Sequence, residues 1–190
     1  MALIHNYLFL AMWLSYIAYW WGKSREVKKT VRNEAVMSRT VRLVLIACAV
    51  VLLCLPSVPL PLLDQRFLPV GELWFCIGAA ITAGGLVFSV SARRHLGKNW
   101  SQAVTVKEGH ELITSGPYGL VRHPIYTGLL LGFLGSAVAR GQWRGLIAIA
   151  LVFVVLWRKL RLEEKWMRTQ FGETYEAYSQ KVAALVPYFI

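Results

Sequence analysis

"GPYGLVRHPIYTG", residues 116–128, sets two prolines, an arginine, a histidine and two tyrosines directly ahead of an apolar run. Pro124 has no backbone N–H, which suits the first turn of a helix, so a helix is expected to start there. Gly116-Pro117 is a turn signal before it. The stretch therefore reads as a loop or short helix at the foot of an apolar helix. Ile125 to Ala139 forms that helix, and Leu146 to Trp157 a second apolar piece. Gly141, Gln142, Trp143 and Arg144 separate the two as a tight turn, so the pair reads as a helical hairpin. Each piece is short for a full membrane crossing, which takes about 20 residues. Its flanks must lengthen it, or it dips in part way.

The rest of the chain is equally apolar. Of 190 residues 56% are hydrophobic, above the usual share of a soluble domain. Ala2–Trp21, Val41–Leu63 (ending near Pro56) and Phe67–Val90 read as three further spans. The expected fold class is all-α: a polytopic membrane helix bundle of about five transmembrane helices, to which the family resemblance given below adds a C-terminal cytoplasmic helical cofactor site. A single domain covers 1–190, with three N-terminal spans in 1–90 and the chemistry in 91–190. No cleavable signal peptide is expected, because the first apolar run lacks a basic leader and ends on Tyr19-Trp20-Trp21. "PSVPLPLL" at 56–63 is a short Pro-rich turn.

The net charge of +11 fits an anionic membrane surface, and no nucleic-acid partner is expected. Lys and Arg concentrate in 22–42, 91–123 and the tail from Arg158, whereas 56–72 holds only Arg66. The positive-inside rule puts those three blocks in the cytoplasm and the N-terminus outside. Arg140 and Arg144 in the hairpin turn break the pattern mildly. Asn99-Trp100-Ser101 matches a glycosylation sequon, silent on the cytoplasmic side. Cys48, Cys54 and Cys76 sit in apolar runs with neither disulfide nor zinc spacing. Gly128, Gly132 and Gly135, and the small residues from Gly78 to Gly85, allow close helix contact. The contact is either within a monomer or the seam of a homodimer.

The last apolar helix runs straight into "WRKLRLEEKWMRTQFGETYEAY", 157–178. A solvated helix laced with i,i+4 ion pairs explains charges far from the membrane. It explains a carboxylate pair just past Trp157 less well, since polar groups near membrane depth point to function. A hairpin brings its ends together, so Arg122, His123 and Tyr126 should face Lys159, Arg161, Glu163 and Glu164 around one cytoplasmic cavity suited to a zwitterion. Singly, Arg122 also suits an interfacial anchor, His123 a helix-start cap, and Tyr118 and Tyr126 interfacial aromatics. No GxGxxG, GxxxxGK[ST] or HExxH occurs, and His5, His95, His110 and His123 are scattered, so no metal site is expected.

"ELITSGPYGLVRHPIYTG", a hairpin, and then "EEKWMRTQFGETYEAYSQKVAALVPYFI" together resemble the isoprenylcysteine carboxyl methyltransferase family, with a looser likeness to phospholipid N-methyltransferases. The resemblance covers 110–190. It implies an integral-membrane enzyme that uses S-adenosylmethionine at its cytoplasmic side. Its motif residues here are His123, Pro124, Tyr126, Glu163 and Glu164. On this reading the cofactor-binding set is His123, Pro124, Tyr126, Arg122, Tyr118, Gly116, Tyr175 and Tyr178. The catalytic set is Glu164, Glu163, Lys159, Arg161 and Arg158. The family usually places an arginine one turn before the glutamates, where this chain has Lys159, which lacks the bidentate fork. The acceptor implied is lipophilic and membrane-embedded, a prenylated carboxylate first, with a phospholipid amine or phenolic lipid as alternatives. A sterol-type membrane reductase and a non-enzymatic lipid-binding protein are the rival classes.

Overall fold

The structure is a computed structural model that describes residues 2–23, 36–54, 62–97 and 112–189. The Asn99–Ser101 sequon, most of the Pro-rich turn and much of the first two basic blocks lie outside the described residues. All named elements are helices: α1 (Ala2–Lys23), α2 (Val36–Cys54), α3 (Glu72–Leu96), α4 (Pro117–Leu120), α5 (Pro124–Arg140), α6 (Trp143–Phe171) and α7 (Glu173–Lys181). The all-α expectation holds. Among the described residues, one helix, α3, is both long and apolar enough to cross a membrane, and Thr40–Leu53 is a shorter apolar helix.

α5 begins at Pro124, where the missing N–H is harmless, and ends at Gly141, whose φ of 64° suits glycine. α6 is one continuous helix of 29 residues, about 43 Å at 1.5 Å per residue. It carries the hairpin's second arm beyond the apolar stretch into the charged segment. α3 starts at Glu72 rather than Phe67 because residues 63–68 pair with the hairpin turn instead. Phe67 N–H donates to Gly141 O at 2.9 Å, Arg144 N–H to Leu63 O at 3.0 Å, and Arg66 and Gln142 form an isolated antiparallel bridge. The hairpin-turn cations are absorbed there. Arg144, with 1% of its side chain exposed, pairs with Asp64 at 2.8 Å, and Arg140 donates to Leu53 O. α3 also continues past Val90 to Leu96, so Arg93 and Arg94 are helical and Arg93 is buried.

The tightest packing joins α3 to α5. A Cβ on Gly85 would stand 2.6 Å from Gly128 O, and one on Gly128 would stand 2.7 Å from Ser89 Cβ. Only the absence of side chains lets the two backbones approach so closely. Thr82 donates to Gly132 O at 3.2 Å, Trp13 to Ser136 Oγ at 3.1 Å, and the Tyr16 and Ser89 hydroxyls bond at 2.8 Å. The small-residue faces thus meet within one chain. α2 and α5 flank α6, and Phe133, Ala137, Ala148, Val152, Leu156 and Leu160 fill the core between them. This frame holds the α5–α6 hairpin rigid, with the foot of α5 beside the charged half of α6.

Candidate active site

Three pieces of chain meet at the foot of α5: the α4–α5 junction, the charged half of α6, and the segment after α7. Gly116, at φ 60°, starts α4, and a Cβ there would meet the His95 ring at 2.8 Å. His95 stacks on Tyr118, and its Nε2 bonds Ser115 Oγ at 2.9 Å. Tyr178 of α7 donates to Tyr118 O at 2.6 Å. Gly172, at φ 52°, turns the chain between α6 and α7, which lets Tyr175 and Tyr178 bury against this junction. The chain then returns alongside α5. Arg122 N–H donates to Ala183 O at 2.8 Å, His123 N–H to Ala184 O at 2.9 Å, and Thr127 Oγ1 to Leu185 O at 2.7 Å.

The side chains of the junction reach α6. Arg122 donates through Nε (2.9 Å) and Nη2 (2.6 Å) to Glu164 Oε1. Tyr126 donates to Glu163 Oε1 at 2.6 Å, and the Lys159 ammonium lies 3.7 Å from that oxygen and 5.3 Å from the Tyr126 ring centre. His123 stands between the carboxylates: Nδ1 is 3.5 Å from Glu163 and Nε2 3.5 Å from Glu164, with its ring stacked on Tyr126. Of the residues expected to converge, Arg122, His123, Tyr126, Lys159, Glu163 and Glu164 are therefore brought together, while Arg161 is exposed outside these contacts.

They do not line one cavity. Consecutive helical residues point about 100° apart, so Glu163 and Glu164 leave α6 on either side of His123. Glu164 and Arg122 border an open cleft of about 480 Å³, bounded further by Gly119 and Leu120 of α4, Trp157, Leu160 and Arg161 of α6, and residues 179–184 and 187–189. Glu163, Tyr126 and Lys159 belong to the opposite side. Arg161 is exposed on the cleft, whereas Arg158 is exposed away from it. Pro124 is buried as the first residue of α5. The sequence reading missed the wall formed by Ser179 to Ala184. Its backbone carries no residue-type signature, although the turn at Gly172 and the tyrosines at 175 and 178 are the features that fold it back.

Electrostatics keep the cluster ionised. Burial by itself pulls the His123 imidazole down, but Glu163 and Glu164 outweigh it and hold the ring above its ordinary value. Burial pushes Glu163 up, and Lys159, His123 and Tyr126 reverse this to a net lowering. Burial likewise opposes Glu164, yet His123 and Arg122 bring it down to about 2. Burial pushes the Tyr178 phenol up to about 12, and raises Tyr118 and Tyr175 as well. Two carboxylates, an imidazole biased toward its charged form and a guanidinium thus form one array at the end of an apolar bundle. Among the described residues no group of three or more His, Cys, Asp or Glu could hold a metal ion.

The site is thus a charged array at one end of an apolar helical bundle. The family model described as phospholipid methyltransferase matches residues 73–174, more than half of the chain, and the chain belongs to that family. The match takes in α3 through the start of α7, and so includes the junction and both glutamates. A probable protein-S-isoprenylcysteine O-methyltransferase of Oryza sativa subsp. japonica is 33% identical over 125 residues, 62% of this chain and 64% of that protein. The protein-S-isoprenylcysteine O-methyltransferase of Schizosaccharomyces pombe is 29% identical over 120 residues, 60% of this chain and 47% of that protein. The cobalt-zinc-cadmium resistance protein CzcN of Cupriavidus metallidurans is 30% identical over 109 residues, 56% of this chain and 49% of that protein. The chain thus spans less than two thirds of the length of these relatives.

Proposed function

We propose that the protein is an integral-membrane methyltransferase that takes S-adenosylmethionine from the cytoplasmic side and methylates a lipophilic acceptor held in the bilayer. The observation that carries the reading is the meeting of Arg122, His123 and Tyr126 with Glu163 and Glu164, beside an open cleft, at the end of an apolar hairpin. Family membership and relatives named as O-methyltransferases support it.

The cleft fits the cofactor's chemistry. Its volume of about 480 Å³ lies in the range of small-molecule sites. It offers an ionised carboxylate in Glu164, a cation in Arg161, an aromatic face in Trp157 and backbone polar groups along 179–184, which together suit a zwitterion with a ring system. S-adenosylmethionine, when bound, supplies an electrophilic methyl group on a sulfonium. Glu164, held ionised by Arg122 and His123, favours positive charge in the cleft. Arg161 suits the cofactor's carboxylate. Trp157 and Leu160 give the cleft an apolar wall against water, and the packed hairpin would fix donor and acceptor relative to each other, which is most of what such a displacement requires. His123 sits between the cleft and the Glu163–Lys159 side, and so marks where acceptor and cofactor meet.

On this reading the acceptor arrives laterally between helices. A carboxylate needs no base, because it is already ionised at neutral pH. Both site carboxylates are engaged by donors, so a carboxylate acceptor, as in prenylated cysteine, suits them better than a protonated amine. The bundle spans the membrane five times with its N-terminus outside, and it works as a monomer or a homodimer. Titration calorimetry of the purified chain with S-adenosylmethionine in detergent tests the reading: saturable binding that Glu164→Gln weakens is expected, and no binding by the wild-type chain contradicts it.

A further inference from the structure

Arg122 commits all three of its guanidinium nitrogens to the protein. Nε and Nη2 engage Glu164, while Nη1 donates to Ser179 O at 2.9 Å and also to Val182 O. Its side chain is 12% exposed and that of Glu164 only 5%. The two carbonyls belong to the last turn of α7 and its C-terminal cap, groups a helix leaves unpaired and a cation satisfies well. The adjoining backbone continues the attachment, with Arg122 and His123 donating to Ala183 and Ala184. Ser179 to Ala184, Glu164 and Arg122 all line the cleft. A single guanidinium at the cleft thus joins its carboxylate to the segment after α7.

We infer that Arg122 is a positioning residue: with all three of its nitrogens committed to the protein, it sets the width of the donor cleft and the direction of Glu164 by clasping α6 to the segment after α7. The inference rests on the cleft being the donor site. A guanidinium is needed because the acceptors lie in two directions around a planar fork, and an ammonium at the end of a lysine cannot reach both. Thr127, which holds the same segment farther along through Leu185 O, lies outside the clasp.

The full chain in detergent, as Arg122→Lys and separately as Thr127→Val, tests this by donor affinity, kcat at saturating donor and amide hydrogen exchange at 182–185. In Arg122→Lys the dissociation constant for S-adenosylmethionine should rise about tenfold or more, kcat should stay within about threefold, and exchange at 182–185 should accelerate. Thr127→Val should change donor affinity by no more than about twofold. Wild-type affinity and exchange in a folded Arg122→Lys protein overturn the inference. So does a fall in kcat at unchanged affinity, which makes Arg122 part of the chemistry. If Arg122→Lys does not fold, Thr127→Val decides: an affinity loss there of about tenfold moves the role from the guanidinium to the whole segment and overturns the inference. Failure of the wild-type chain to bind donor sinks the cofactor reading, and exchange at 182–185 then still reports on the clasp.

Discussion

At the scale of residues, His123 and Glu164 concentrate the site's electrostatics. Glu164→Gln should lower methyl transfer by about 100-fold or more, as should His123→Ala, with both proteins still extracted in folded form. Initial rates in liposomes, checked against detergent melting curves, test this; near-normal turnover in either variant removes that residue from the machinery. The pH dependence of stability follows from the same groups. His123 is held above its ordinary 6.5, so its contribution is complete below pH 6.5 and fades as pH rises through the folded value. Glu164 drops from 4.5 to about 2, so its contribution stands above pH 4.5 and is lost as pH falls toward 2. Melting temperatures across that range should decline at both ends, and His123→Gln should flatten the alkaline decline and, because His123 also lowers Glu164, shrink the acid one. The members of this cluster were legible because a hairpin must return its ends to one place. Their division by His123 was not, since it depends on the rotation of α6. Nor was the capture of Arg122 by backbone carbonyls, which leave no mark in side-chain type.

At the scale of elements, the α3–α5 seam gives a sharp comparison. Gly85→Ala puts a methyl group against Gly128 O and should cost about 1–3 kcal/mol. At Gly84, next to it, an added methyl group would meet nothing within 4 Å, so Gly84→Ala should stay within about 0.5 kcal/mol. Unfolding in detergent–denaturant mixtures would check the pair, and equal effects would mean the seam is not as tight as described. The small residues of the sequence marked this seam, and Pro124 marked the start of α5. The ends of α3 were misplaced by several residues. Apolarity extends from Phe67, but the backbone there bonds to the hairpin turn. At the other end Arg93 and Arg94 are charged yet stay helical, with Arg93 bonded to Gly97 O and set against Trp20.

At the scale of the whole molecule, the polarity of the bundle is the main consequence. The charged array and the basic tail occupy one end; the turn where Arg144 pairs with Asp64 occupies the other. The two hairpin-turn arginines, which disturbed the positive-inside pattern in the sequence, are engaged by Asp64 and by Leu53 O and so count little as free surface charge. Single cysteines at positions 62 and 165 should therefore react with an impermeant maleimide from opposite sides of sealed vesicles; labelling of both from one side contradicts five crossings. The long helices α1, α2, α3, α5 and α6 were legible in hydropathy, and the end that carries the charged array was legible in the placement of charge. The wall after α7 was not, because it forms only once α6 and α7 have packed.

The central claim, methyl transfer between a cytoplasmic donor and a membrane-held acceptor, meets its most direct test in one assay. The purified chain in liposomes receives radiolabelled S-adenosylmethionine and, in parallel, a long-chain prenylcysteine carboxylate or its tail-free analogue. Label should pass to the long-chain acceptor alone, as a base-labile methyl ester, and Glu164→Gln should abolish the transfer. No labelled ester with either acceptor, or equal rates with and without the tail, contradicts the account.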